Sequence, residues 1–393
     1  MKVKLSDAFE LQMGKTPDRS DSSCWSGAHK WVSIADLSKA DKYIIDTKET
    51  ISDTGVAKSG IKVVPKGTVI MSFKLSIGKT AITTEDLYTN EAIMAFIDKG
   101  IYEIDTNYIY HLFASKDWNE GTNKAVLGLT LNKATLSQVE IEIPSIAEQK
   151  QVVEVLDKVD ELISLRKKQL QKLDDLVKAR FIEMFGDPVD NPKQWLTKPF
   201  LEMGTCKNGM NFSNDETGIR IHCLGVGDFR NKTIITDVDS LPMISLRESP
   251  SKEYLLHDGD IVFVRSNGNK ALVGRSVAVY PGNVTTTFSG FCIRYRKQDN
   301  AVTIPFLLRV LKTDSIRTKM AGRGANIQNL NQQILGTLSI PIPPIDLQEQ
   351  YAAFSDQVDK SKVTIQQGIY ILEQMKQTMM QKFFGEIDSG IAL

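Results

Sequence analysis

The sequence is poor in cysteine: Cys24, Cys206, Cys223 and Cys292 are the only four in 393 residues, and no two form a C-x-x-C pair. His222 stands beside Cys223, but no second pair follows at metal-ligand spacing. Idle or buried thiols in a reducing cytosol are expected, rather than a disulfide framework or a structural metal. There is no excess charge either. Lys+Arg and Asp+Glu both number 48, which argues against a protein that holds nucleic acid by bulk charge alone but leaves local basic patches open. No run approaches the ~18 consecutive apolar residues of a membrane span. The start, MKVKLSDAFELQMGK, lacks the apolar core of a secretory leader, so the expected location is the cytoplasm.

Catalytic signatures are missing as well. There is no G-x-S-x-G, no H-E-x-x-H and no G-x-G-x-x-G after a strand. Ser76-Ile77-Gly78-Lys79-Thr80 has the ending of a phosphate-binding loop, but Phe73 stands where the first glycine must let the backbone wrap the phosphates. Asn191-Pro192-Lys193-Gln194 falls short of an N-P-P-aromatic adenine methyltransferase motif at Lys193 and Gln194, and reads as a linker. Neither a catalytic residue nor a metal ligand is expected.

What the sequence does contain is itself, twice. Residues 141–151, IEIPSIAEQKQ, return as IPIPPIDLQEQ at 340–350, an offset of 199. The offset holds from Leu131-Asn132 against Leu330-Asn331 through to Phe185-Gly186-Asp187 against Phe384-Gly385-Glu386. Further upstream Gly67 answers to Gly259, and Gly78-Lys79-Thr80 to Gly274-Arg275-Ser276, with four extra residues in the second copy between these points. A module written twice can form a pseudo-twofold object. Its well-kept part would present equivalent surfaces, and its diverged part would recognise two different things.

The well-kept part predicts two long helices. Ser145-Ile146-Ala147-Glu148 fits a capping box behind Pro144, and no Gly or Pro interrupts before Gly186. The helix is therefore roughly 38–40 residues, or ~60 Å at 1.5 Å per residue. Its counterpart follows Pro341, Pro343 and Pro344, with Asp346 and Glu349 as a second capping pair, and stops at Gly385. Leu156, Ile163, Leu170, Val177 and Met184 recur every seven residues, as do Tyr351, Val358, Ile365, Leu372 and Met379. That period makes a coiled-coil seam. Helices this long are marginal alone, and antiparallel packing on each other is the simplest solution.

The diverged part predicts two α+β heads. Gly67–Ser72, Asp260–Val264, Ala92–Phe96 and Gly290–Tyr295 are short apolar runs of the kind that form buried strands. One helical stretch per head is expected, near 108–116 and 305–320. Polar, glycine-flanked loops follow the strands. In the first head these carry Lys74, Ser76, Lys79 and Thr80, then Thr122, Asn123 and Lys124. In the second they carry Arg265, Asn267, Asn269, Lys270 and Arg275, then Arg323 and Asn326. These side chains suit base edges and phosphates. The expected placement is one concave face for Arg265, Lys270, Arg275 and Arg323, with Lys79 and Lys124 in the equivalent place.

Ile143-Pro144 with Glu148-Gln149, Ile342-Pro343-Pro344 with Gln348-Glu349-Gln350, the uninterrupted helix after each, and Gly259-Asp260-Ile261-Val262 with Gly268 and Gly274 together resemble the specificity subunits of type I restriction–modification systems. The likeness spans the chain in the order head, helix, head, helix. It implies target-recognition domains at 1–143 and 188–342 and spacer helices at 144–187 and 343–393. The implied fold is α+β: two globular α/β target-recognition domains separated by two long antiparallel coiled-coil helices. Each head would read half of a bipartite double-stranded DNA site, and the helices would set the gap. Two methyltransferase subunits would dock on the helices, with Glu148, Gln149, Gln348 and Gln350 as partner-facing candidates, and restriction/translocase subunits could join. S-adenosylmethionine, ATP and Mg would belong to those partners, as would base flipping. The competing reading is a non-catalytic interaction scaffold whose heads bind proteins.

Overall fold

Apolar runs flanked by turn residues become strands buried on both faces, and both halves of the chain arrange them in the same order. The computed structural model describes residues 1–74, 76–118, 131–213, 217–229, 232–321 and 329–385. It divides into two compact units, Met1–Lys168 with Ile365–Leu393, and Gln169–Thr364. The first head runs through β1 (Lys2–Lys4), α1 (Leu5–Ala8), β2 (Phe9–Met13), β3 (Trp25–Val32), α2 (Ile34–Lys39), β4 (Tyr43–Ile44), β5 (Glu49–Ile51) and α3 (Asp53–Ser59). It continues through β6 (Val69–Ser72), β7 (Thr80–Thr83), β8 (Tyr88–Thr89), β9 (Ile93–Asp98), α4 (Thr106–Ser115), α5 (Lys133–Ser137) and β10 (Glu140–Glu142) into the long helix α6 (Ile146–Phe185).

The second head follows with β11 (Thr197–Pro199), β12 (Gly204–Asn208), β13 (Ile219–Leu224), β14 (Ile234–Ile235), β15 (Met243–Leu246) and β16 (Asp260–Val264). After β17 (Ser276–Val279), β18 (Thr286–Phe288) and β19 (Cys292–Lys297) come α7 (Ile304–Leu311), α8 (Asp314–Ala321), α9 (Gln332–Gly336), β20 (Ser339–Pro341) and the second long helix, α10 (Ile345–Phe384).

Each head holds a five-stranded sheet, β2-β9-β6-β7-β4 in the first and β12-β19-β16-β17-β14 in the second. Three-stranded sheets β5-β3-β8 and β15-β13-β18 accompany them. The central strands are covered on both sides, as their unbroken apolar sequence requires. Val69 and Met71 of β6 face a core with Phe96, Tyr108 and Phe113, while Ile70 faces Val32, Leu37 and Ile44. In β16, Ile261 and Phe263 join the cluster of Phe200, Tyr295 and Phe306, while Val262 and Val264 meet Leu224 and Phe288. Each head is closed by an antiparallel pair just before its long helix, Val3 against Ile141 and Lys198 against Ile340.

Both long helices have the predicted length, 40 residues. Ser145 caps α6 as expected: its N–H and hydroxyl donate to the Glu148 carboxylate at 2.9 and 2.7 Å, and the Glu148 N–H donates back to Ser145 Oγ at 3.4 Å. The predicted Asp346–Glu349 cap is corrected. α10 starts at Ile345, so Asp346 is already inside its first turn and the flanking position belongs to Pro344, whose carbonyl accepts from Leu347 and Gln348. A proline has no side-chain oxygen to cap with. The single helix expected near 305–320 is two, α7 and α8. Thr313 separates them; its hydroxyl donates to the Val310 carbonyl at 2.7 Å and its own carbonyl accepts from Arg317.

The helices pair antiparallel inside each unit, along the seven-residue seam. In the first unit Asp160 meets Lys376 at 2.6 Å and Lys167 meets Glu373 at 3.4 Å, around buried Leu156, Ile163 and Ile365. In the second, Asp174 meets Lys362 at 2.6 Å, and Phe181, Phe185, Phe306 and Tyr351 form a ring cluster with centroids 4.9–5.8 Å apart. Each compact unit therefore contains one head and about half of each long helix.

Candidate nucleic-acid interface

Two hairpin loops carry most of the polar residues singled out above, and both are shaped by the same device. Gly78 and Gly274 adopt φ of +85° and +76°, the left-handed region a glycine enters at no steric cost. Each donates its N–H back across the hairpin, to Ser72 O at 2.9 Å and to Val264 O at 2.8 Å. This explains the weak sequence match between the two glycines, and the extra residues of the second copy lie in the loop they close.

In the first head the turn is fixed by Ser72. Its hydroxyl donates to the Ser76 carbonyl and accepts from the Lys79 N–H at 3.0 Å. Lys79 and Ser76 are exposed; Lys74 is half-buried, its ammonium 5.2 Å from the Phe73 ring centroid. Thr80 is corrected. It lies in β7 opposite Met71, is buried, and its hydroxyl donates to Gly78 O at 3.1 Å, so it shapes the turn from within and offers nothing to a duplex.

The second head's loop is longer and more cationic. Arg265 ties it to the turn before β19: its N–H donates to Phe291 O at 2.8 Å and Nη1 to Gly290 O at 3.3 Å. Asn267 Oδ1 accepts from Asn269 N at 2.8 Å, and Asn269 Oδ1 accepts from Ala271 N at 3.1 Å. Their amide oxygens thus hold the loop, while Lys270 and Arg275 are exposed along it. Thr122, Asn123, Lys124, Arg323 and Asn326 lie outside the described residues; of the residues expected on a concave face, Arg265, Lys270 and Arg275 share one loop of the second unit and Lys79 lies in the matching loop of the first.

The partner-facing candidates divide. Glu148 and Gln350 are exposed, and the hydroxyl and N–H of Ser145 hold the Glu148 carboxyl below the ordinary range. Gln149 and Gln348 are corrected: both are fully buried. Gln149 accepts from Asp105 N at 2.8 Å and donates to Glu103 O at 2.9 Å and Pro144 O at 3.0 Å. Gln348 accepts from Thr303 N at 2.8 Å and donates to Ala301 O and Pro343 O, both at 2.9 Å. These side chains pin each long helix to the loop that opens its head's last long helical segment. An amide with every polar atom engaged and no exposed surface presents nothing to a partner.

Sequence reasoning missed two features. The first is a cationic group in the second unit, where Arg309, Lys312 and Arg317 of the α7–α8 region gather with Arg275. Burial, then the neighbouring Arg309 charge, pushes the Lys312 ammonium down to about 8. Nothing in the local pattern of α7 announces this, because the cations converge only through the fold. The second is apolar. On α10 of the first unit Tyr370, Ile371 and Met375 are exposed and line a shallow groove of about 450 Å³ with Gln374, Thr378 and Met379. Their signal was visible as apolar residues standing off the seven-residue seam.

All four cysteines are free thiols, with Cys206 and Cys223 pushed up to about 12 by burial. Among the described residues no group of three or more His, Cys, Asp or Glu could hold a metal, and no helix is long and apolar enough to cross a membrane.

Comparison with known proteins bears on the same architecture. A family model described as the type I restriction modification DNA specificity domain matches twice, at residues 1–175 and 198–374. The type I restriction enzyme MjaIX specificity subunit of Methanocaldococcus jannaschii is 25% identical over 98% of this chain and 92% of its own length. The StySPI specificity subunit of Salmonella potsdam is 24% identical over 72% of this chain and 66% of its own. Among solved structures, one described by the complex assembly and conformational transition of the type I R-M system superposes with a TM-score of 0.63 at 16% identity, covering 98% of this chain and 97% of that one. The S subunit from M. genitalium superposes at 0.51, with 14% identity, over 98% and 96%. At such identities the structural likeness speaks for the fold.

Proposed function

This chain belongs to the type I restriction modification DNA specificity family, and on that premise we propose that each head reads one half of a bipartite, asymmetric DNA site. The observation that carries the reading is the contrast inside the repeat. The buried joint between head and helix is the same in both copies, down to the three hydrogen bonds of Gln149 and Gln348. The exposed loops after β6 and β16 differ in length and charge. Matched supports with unlike tips suit two readers of different sequences, where each good bidentate base contact supplies roughly 1–3 kcal/mol of discrimination.

The long helices set the gap between half-sites and dock two methyltransferase subunits, with restriction/translocase subunits joining the assembly. Glu148, Gln350 and the exposed Tyr370, Ile371 and Met375 are the docking residues we assign. The chain itself takes no cofactor in this reading. S-adenosylmethionine, ATP and Mg sit in the partner subunits, which carry out adenine methylation in the cytoplasm. Balanced net charge fits a subunit whose partners complete the phosphate clamp.

Mapping methylated adenines in a host that carries this chain with its modification subunits tests the proposal. The expected pattern is two unlike half-sites separated by a fixed non-specific gap, lost when the chain is deleted. Methylation at a single continuous motif would overturn it.

A further inference from the structure

The turn between β18 and β19 of the second unit presents an aromatic ring to solvent. Phe291 is 63% exposed, although Phe288 before it and Cys292 after it are fully buried. Its backbone is held from both sides. The Phe291 carbonyl accepts from the N–H groups of Arg265 and Ser266, at 2.8 and 3.4 Å. Its own N–H donates to Ser289 Oγ at 3.3 Å, and the Cys292 N–H donates to Ser289 O at 2.8 Å. Arg265 adds a bond from Nη1 to Gly290 O at 3.3 Å. The turn is tied down and the ring is left outside it.

Strand register shows what stands beside the ring. Val264 pairs with Cys292 and Asn208 pairs with Ile293. The exit of β16, the entry of β19 and the exit of β12 therefore share one end of the five-stranded sheet. The loop leaving β16 carries the exposed Lys270. Beyond β12 comes the exposed Asn211, whose side-chain amide lies where a Cβ on Gly290 would strike it. An apolar ring is thus set among side chains that suit base edges and phosphates.

The repeat tells which kind of surface this is. At the offset of 199 the counterpart of Phe291 is Ala92, which is buried. The backbone tie is kept: Ala92 O accepts from Phe73 N at 3.0 Å, as Phe291 O does from Arg265 N. The turn is shared and the ring is not. A surface that met two copies of one partner would recur in both halves, whereas a reader of one particular sequence would not.

We infer that Phe291 is a specificity-determining residue of the second head, reading a thymine through its C5-methyl group in the major groove. This rests on the DNA-reading assignment of that head. A phenyl ring cannot use the donors and acceptors of a base edge, and the thymine methyl is the apolar group that the major groove offers.

The test uses the full chain assembled with its modification subunits, and duplexes carrying the site mapped by adenine methylation. Each thymine is replaced in turn by uracil, which removes the methyl and keeps the pairing. One such replacement should weaken binding about fourfold, the gain from burying one methyl-sized group. Phe291→Ala should leave the urea midpoint in place, weaken binding by at least as much, and be indifferent to that same replacement. Its methylated sites should become degenerate at that position. Phe291→Leu, which keeps an apolar tip, should keep the uracil penalty. A site at which no uracil replacement weakens binding, penalties that persist in full in Phe291→Ala, or loss of modification subunits from that variant would overturn the thymine contact alone. A natural complex whose methylated site is not bipartite would overturn the reading beneath it as well.

Discussion

Nε2 of His111 lies 2.7 Å from a carboxylate oxygen of Asp157, joining α4 to α6 within the first unit. Lys42 grips the same carboxylate at 2.6 and 2.7 Å. Burial pushes the Asp157 carboxyl up, but the hydrogen bonds from Lys42 and His111 outweigh it and hold the group below its ordinary value. Asp157→Asn would leave a fully buried imidazole and a mostly buried ammonium without their shared anion. The expected loss is about 1–3 kcal/mol, the cost of orphaning buried polar groups, read as a lower urea midpoint. The repeat partner Asp356 is exposed and pairs with Lys360 along its own helix. Asp356→Asn should cost less than about 1 kcal/mol.

The same site sets an acid limit. Burial, against the pull of Asp157, drives His111 below its ordinary value of 6.5. The unfolded chain then binds more protons than the folded one as pH falls from 6.5. Stability is full above that value and declines below it, through the folded value. Denaturant midpoints from pH 7.5 to 5 should fall for the natural chain, and His111→Asn should flatten part of that slope. An unchanged slope in the variant would place the acid limb elsewhere.

Gln149→Leu and Gln348→Leu remove matched sets of three hydrogen bonds. Each strands main-chain donors and acceptors at the root of a head, at an expected cost of at least about 1–3 kcal/mol. Each should also raise amide exchange at its own joint, around Glu103–Asp105 or Ala301–Thr303. If these residues acted by touching a partner, the isolated chain would be unaffected.

Phe181→Ala should destabilise the second unit selectively. Phe181 is fully buried against Phe185, Phe306 and Tyr351, and truncating a core phenylalanine costs about 3–5 kcal/mol. Thermal unfolding should separate into two transitions, with the core of Phe96, Phe113 and Trp118 melting last. A single transition at the original temperature would contradict this.

Much of this architecture was legible because it repeats and because its punctuation is strong. Pro144, Ser145 and Gly186 mark α6 to within a residue or two, and a seven-residue spacing over five seam positions leaves little choice of register. The small sheets were not legible. β3 shifts register between Trp25 and His29, with Ser26 at φ +59°, so no clean alternation survives in the sequence. The joint glutamines were misread for a different reason. Repetition marks a position as shared, and a shared surface and a shared buried staple look alike until burial is known. The cations around Lys312 escaped because Arg275, Lys312 and Lys362 are far apart in the chain and meet only when α7 and α10 pack on the second head's sheet.

The most direct measurement is a head exchange. Residues 188–342 would be replaced by the corresponding region of a relative with a different target, and methylated adenines mapped in cells carrying the hybrid with its modification subunits. One half of the methylated site should change to the donor's half, while the other half and the gap stay as they were. A site that stays wholly unchanged, or changes in both halves at once, would contradict two independent readers in one chain.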